Sequence, residues 1–280
     1  MILHISHNDL DGVGCGILVK AAYPSVKTIY RGYDELGNML DSIHSGYDMV
    51  IVTDLSPSEA ILESIAGECE LLLIDHHISS ETLNKYPFVI HENGKSATLL
   101  TYEKLTSIGF DLSAYEDFVC CVNDFDLWKL KRDDSLRMNL LFILTGISRF
   151  EKRFLTEPYC GFKAEEEMLI ALEEERRNNY IERALKYAEY FTDKDQRKLA
   201  VLFSEMYTSE LGNSIISRGL ADYVILINVQ RKSVSLRSAK DTDISEIAAR
   251  HGGGGHKNAA GFPFISGFNV MEFLIQLELM

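Results

Sequence analysis

The chain has 280 residues, of which 46% are hydrophobic and 25% charged. That is globular composition, in a chain long enough for two ordinary domains with a buried core and no cross-links. The formal net charge of −14 argues against a coat on long duplex DNA, which rests on Lys and Arg contacts to phosphate, but not against a small phosphorylated ligand whose charge is met locally by cations.

The five cysteines, Cys15, Cys69, Cys120, Cys121 and Cys160, form no C-x-x-C pair. With an odd count and an N-terminus already polar at His4, neither a disulfide framework nor a secretory leader is expected, and a reducing, cytoplasmic setting is. No apolar run reaches the length of a transmembrane helix, so no membrane partner is expected.

In chain order, residues 2–6 are an apolar run that ends in His7-Asn8-Asp9-Leu10-Asp11-Gly12. This predicts a buried strand leaving its sheet through a polar loop, with a helix over 13–22. A second run, 49–53, ends in Asp54, and a third, 71–74, ends in Asp75-His76-His77. Short strands alternating with helix-compatible sequence predict βαβ units and a parallel sheet. Ligands bind such sheets beyond the carboxyl ends of the strands, so the three polar clusters are expected to converge. Helices are predicted over 96–107 and 115–122, the second running into Asn123-Asp124-Phe125-Asp126. Residues 163–191 are charged and periodic and predict one long helix between domains. The polar stretch 192–197 reads as a hinge about which the domains could close. Beyond it come a strand (199–203), a helix (209–218), two strands (223–229 and 233–237) and a helix (244–250) that runs into Gly252-Gly253-Gly254-Gly255-His256.

Carboxylates and imidazoles together suit hard or borderline divalent cations such as manganese. Asp9 and Asp11, two apart on a segment expected to be extended, would point the same way and could serve neighbouring ions. Asp54, on a strand between the others, is the natural bridge. Each aspartate alone reads as a turn residue or a helix cap, and His76-His77 alone as surface histidines. Their joint occurrence at three strand ends favours a site. The glycine run would let backbone N–H groups approach an anion; no Gly-Lys-Ser/Thr follows, so it is not a P-loop. Cys15 reads as a small buried residue of the first helix.

Taken together, HNDLDG (7–12), VTD (52–54), DHH (75–77), the aspartate of VNDFDLW at 124 and GGGGHKNAAG (252–261) resemble the DHH phosphoesterase family with its C-terminal DHH-associated domain. The matches span nearly the whole chain. The resemblance implies an α/β fold: a parallel-sheet catalytic domain over 1–162, a helical linker over 163–197 and a smaller α/β substrate-binding domain over 198–280. It implies two divalent ions, expected to be manganese, one held by His7, Asp9 and Asp54 and the other by Asp11, Asp54, His76 and Asp124, with Asp126 competing for the place of Asp124. Asp75 would orient a neighbouring ligand and His77 would contact the scissile phosphate. In part of the family the first histidine stands four residues before the first aspartate; here it stands two before. Arg237 and Ser238 fall where the C-terminal domain would meet a substrate phosphate, together with Gly253, Gly254, Gly255 and His256. A short substrate would then bridge both domains.

The family includes pyrophosphatases, single-strand exonucleases, cyclic dinucleotide phosphodiesterases and short-oligonucleotide hydrolases. The GGGGH block weakens the pyrophosphatase reading. The compact chain is most similar to NrnB-type oligoribonucleases, which act on very short single-stranded RNA and on nucleoside 3′,5′-bisphosphates. A cyclic dinucleotide phosphodiesterase or DNA exonuclease is the alternative within this chemistry. A nucleotide-binding regulator without catalysis is the alternative outside it.

Overall fold

In the computed structural model of the protein, residues 1–32 and 46–263 are described. The chain divides into two compact units, Met1–Glu173 and Glu174–Met280. The last part of the expected C-terminal domain, 264–280, lies outside the described residues.

The first unit is built on five parallel strands: β1 (Ile2–His7), β2 (Lys27–Arg31), β3 (Met49–Thr53), β4 (Glu70–Asp75) and β5 (Val89–His91), in the order β2-β1-β3-β4-β5. Helices α1 (Leu10–Ala22), α2 (Glu59–Ala66), α3 (Ala97–Ser107), α4 (Glu116–Asp126) and α5 (Ser135–Thr156) follow in chain order. Alternation along each strand separates two apolar layers. Ile51, Leu72 and Ile74 pack with α1, α3, α4 and α5 through Val13, Ile17, Leu100, Phe118 and Phe150. On the opposite face Leu3, Ile5, Val50, Val52, Leu71 and Leu73 pack with Leu62 and Ile65 of α2. A parallel sheet needs both faces covered, and its inner strands accordingly read as continuous apolar runs.

Strand register positions the site. The ladder pairs Ser6 with Thr53 and Thr53 with Ile74. The next residue along each strand is therefore His7, Asp54 and Asp75, and the three emerge side by side at the carboxyl edge. Helix α1 starts in this loop, earlier than expected, at Leu10, capped by Asp9, whose Oδ1 accepts the Gly12 amide at 3.0 Å. Asp11 therefore lies in the first helical turn and not on an extended segment. A Cβ on Gly12 would stand 2.3 Å from the His7 carbonyl oxygen, so only glycine lets the helix begin this close to the strand.

The expected long helix ends sooner. Helix α6 (Ala164–Ala184) contains the boundary between the units. The aromatic stretch after it becomes β6 (Glu189–Thr192), the edge of a six-stranded mixed sheet with β7 (Lys198–Phe203), β8 (Tyr223–Asn228), β9 (Ser233–Ser238), β10 (Gly254–His256) and β11 (Ala259–Pro263), in the order β10-β11-β9-β8-β7-β6. Residues 192–197 are consequently not a hinge. They close the β6–β7 hairpin, where the Asp193 amide donates to the Arg197 carbonyl at 2.9 Å and Gln196 takes a left-handed φ of 64°. Helices α7 (Thr208–Ser217) and α8 (Ser245–Arg250) cover the two faces of this sheet through Leu211 and Ile215, and through Ile244 and Ala248.

Candidate functional site

Two triads of potential ligands stand at the carboxyl edge of the first sheet: His7, Asp9 and Asp54, and Asp11, His76 and Asp126. Within each triad one ligand atom per residue lies within 4.8 Å of the others. Asp54 faces both. Its Oδ2 is 3.6 Å from His7 Nδ1, and its Oδ1 is 3.4 Å from His76 Nε2. His7 Nδ1 is also 2.9 Å from Asp9 Oδ2, and His76 Nε2 lies 3.7 Å from Asp11 Oδ2 and 3.6 Å from Asp126 Oδ2.

The expected sixth member, Asp124, is replaced by its competitor. Asp124 Oδ1 and Oδ2 accept the amides of Lys131 and Arg132, each at 3.1 Å, and so fasten the loop after α4. The reason is helical periodicity. Asp126 shares a stripe of α4 with Val119 and Val122, whereas Asp124 shares one with Cys121, buried in the same core but beside Arg132 and Asp134 after the helix. Asp11 reaches beyond the cluster as well: its two oxygens accept the amides of Ala97 and Thr98 at 2.7 and 2.9 Å, joining the first turn of α1 to that of α3.

The electrostatics are those of a cation site. Burial pushes the carboxyl pKa of Asp54 well above its ordinary value, and the charges of Asp9 and Asp11 push it further. Asp126 is raised by burial and then by Asp11, against the opposing effect of His76. Burial alone would lower His7, but the carboxylates of Asp54 and Asp9 beside it outweigh that and raise it to about 10. Buried acids this close repel one another unless positive charge is supplied. Two buried acceptors, Asp54 Oδ2 and Asp126 Oδ2, have no hydrogen-bond donor in bonding geometry. Unsatisfied buried oxygens in an O and N donor set fit divalent cations, and the cluster is able to bind metal.

Asp75 differs from its neighbours. Its Oδ1 accepts the His76 amide at 2.8 Å and His77 Nδ1 at 2.7 Å, and its Oδ2 accepts the hydroxyls of Ser56 (2.7 Å) and Ser80. With its lone pairs filled it holds the His77 ring and the His76 backbone amide. Burial would raise its pKa, but His77 and the two serines hold it well below the usual carboxylate range. For His77, burial lowers the pKa, and Asp75 followed by Asp54 raises it above the ordinary value.

A buried polar layer that the sequence reading missed lies one row behind the site. His4 Nε2 bonds Thr53 Oγ1 at 2.8 Å, and Ser6 Oγ bonds Thr53 Oγ1 at 2.7 Å while donating to the Gly12 carbonyl at 2.8 Å. Burial, and then Lys20, lowers His4 to about 3, so it is a neutral fastener of Thr53. Its only sequence signal was a histidine inside an apolar strand. Cys15 is buried with its thiol pKa pushed up, as an inert core residue would be.

In the second unit the glycine run is an edge hairpin. Gly254, Gly255 and His256 pair with Gly261, Ala260 and Ala259. The amides of Gly252 and Gly253 donate to Ala249 and Ala248 at the end of α8, at 3.2 and 2.9 Å. Those two therefore do not form the anion cradle read from the sequence. A Cβ on Gly253 would come within 2.0 Å of the Gly261 carbonyl oxygen, so close chain packing requires the glycine. Ser238 is tied into the fold, donating to the Thr242 carbonyl at 2.6 Å and accepting from Asn258 Nδ2 at 2.9 Å. Arg237 donates to Ser209 Oγ at 2.8 Å, and His256 is exposed.

No family model matches the chain. The oligoribonuclease NrnB of Bacillus subtilis is 34% identical over 284 residues, covering 91% of this chain and 71% of that protein. Among solved structures, the exonuclease RecJ bound to manganese has a TM-score of 0.66 at 15% identity, covering 99% of this chain and 88% of that one. PggH, the pGpG-specific phosphodiesterase of Vibrio cholerae, has a TM-score of 0.59 at 14% identity, covering 100% and 98%. The two structures share the fold, and the curated relative carries the family: the chain belongs to the DHH phosphoesterases, with the oligoribonuclease NrnB among its relatives.

Proposed function

We propose that the chain is a metal-dependent phosphodiester hydrolase acting on short oligonucleotides. The observation that carries this is the pair of triads at one sheet edge, with Asp54 of the first also reaching to within 3.4 Å of His76 in the second. The relationship to NrnB, an oligoribonuclease by name, supports the substrate class. RecJ, solved with manganese, supports the choice of ion. Two ions are the finer reading, one held by His7, Asp9 and Asp54 and the other by Asp11, Asp54, His76 and Asp126. When bound, such ions lower the pKa of water and neutralise charge at the phosphoryl group. Asp75 holds His77 through its Nδ1, and Asp75 and Asp54 favour the protonated ring, the form able to donate to a phosphate oxygen.

Manganese-dependent hydrolysis of RNAs of defined length tests the reading. The chain's net charge of −14 disfavours a long polyanion, so the rate per bond is expected to fall beyond a few nucleotides. Length-insensitive cleavage of long single strands would favour the exonuclease alternative, and hydrolysis of cyclic dinucleotides alone would favour the other.

The second unit is proposed to hold the nucleotide end through Arg237, His256, Gly254 and Gly255. A charge-assisted bond is worth about 1.5–3 kcal/mol, so His256→Ala is expected to slow hydrolysis of an RNA dinucleotide about ten- to a hundredfold. Its manganese affinity, measured by calorimetry, should be unchanged. Loss of metal, or an equal loss on a small generic phosphodiester, would place His256 in the metal centre instead.

A further inference from the structure

We infer that His91, with Asn84 behind it, positions His77; the inference rests on the reading above that His77 meets the scissile phosphate. His91 stands opposite Asp75 in the β4–β5 ladder. Its Nε2 lies 2.8 Å from the His77 carbonyl oxygen. A carbonyl only accepts, so Nε2 carries the proton. Nδ1 of the neutral ring is then an acceptor, and Asn84 Nδ2 stands 3.3 Å from it, placed to donate. Asn84 thereby sets the tautomer that the His77 contact needs.

Asn84 belongs to the 3-10 helix Ile78–Lys85, which begins directly after His77. His77 is thus held from two directions. Asp75 takes its ring Nδ1, and Ser80 donates its amide to the same carbonyl at 3.0 Å. Both belong to the stretch of chain that carries His77. His91 belongs to the next strand, so its bond fixes that stretch against the sheet. Asp75 sets the angle of the His77 ring, and His91 sets where the backbone beneath it sits. Misplacing a reacting group by an ångström has a large effect on rate and a small one on ground-state binding.

The test is steady-state kinetics on a 5′-phosphorylated RNA dinucleotide with saturating manganese, for His91→Ala, His91→Asn, His91→Gln and, as reference, His77→Ala. A glutamine amide nitrogen falls near the place of imidazole Nε2, and an asparagine one near Nδ1. The Ala and Asn variants are expected to lose about ten- to a hundredfold in kcat with KM little changed, and Gln to keep most of the native kcat. Manganese affinity and the Tm of His91→Asn should match the native protein. Native kcat in His91→Ala beside an inactive His77→Ala would overturn the positioning role and leave the reading of His77 standing. Equal losses in Ala, Asn and Gln that track a falling Tm would reduce His91 to a structural residue and also overturn it. Native turnover in His77→Ala would instead remove the reading on which the inference rests.

Discussion

Asp54→Asn is expected to abolish hydrolysis while raising the stability of the metal-free protein. Asp54 faces both triads, with Oδ2 toward His7 and Oδ1 toward His76. Losing it affects both proposed ions. Removing about 4 kcal/mol of charge stabilisation lowers the rate roughly a thousandfold. Asparagine is the cleaner replacement because Asp54 has a φ of 55°. Asn tolerates that left-handed conformation, and Ala would add strain unrelated to metal. Without metal, a neutral amide removes the cost of burying the charge, the main cause of the raised carboxyl pKa, and then the repulsion from Asp9 and Asp11. A thermal scan in chelator should therefore give a higher Tm than native, and an activity assay with manganese a near-zero rate. Near-native turnover would remove the shared-ligand reading.

The second large effect separates two aspartates that stand two residues apart. Asp126→Asn should lose roughly a hundredfold or more in rate, with weaker manganese binding and a normal fold. Asp124→Asn should do the reverse. Asp124 accepts the Lys131 and Arg132 amides and holds a loop in which Trp128 and Leu130 take left-handed φ values of 51° and 46°. Such conformations persist only where the surroundings impose them. Weakening a charged acceptor costs about 2 kcal/mol, seen as a Tm lower by several degrees. Activity well below the Tm should stay near native. If Asp124→Asn were inactive at full stability and Asp126→Asn active, the sequence's first choice of ligand would be right and the structural placement wrong.

The contrast between these residues marks how far the sequence could be read. Strands β1, β3 and β4 were legible because each is a continuous apolar run closed by polar residues, the pattern of a doubly covered parallel strand. Those closing residues include His7, Asp54, Asp75 and His76, so most of the cluster was legible with them. The edge strands were not: β2 is half exposed, and β5 has three residues. Helix α5 was missed across its break at Gly146, where φ is 69°. The choice between Asp124 and Asp126 depends on which stripe of α4 faces α1, and a two-residue spacing does not reveal that. The 192–197 turn and a hinge are both polar, and only the pairing of β6 with β7 distinguishes them. The glycine run advertised free amides, two of which the end of α8 occupies. His91 carried no signal at all, because its partner is a backbone carbonyl 14 residues away.

The most direct measurement is an anomalous difference map from crystals of the protein grown with manganese. Two peaks are expected about 3.5–4 Å apart, one against His7, Asp9 and Asp54, the other against Asp11, Asp54, His76 and Asp126. A single peak, or two peaks of which either leaves Asp54 untouched, would contradict the two-ion centre.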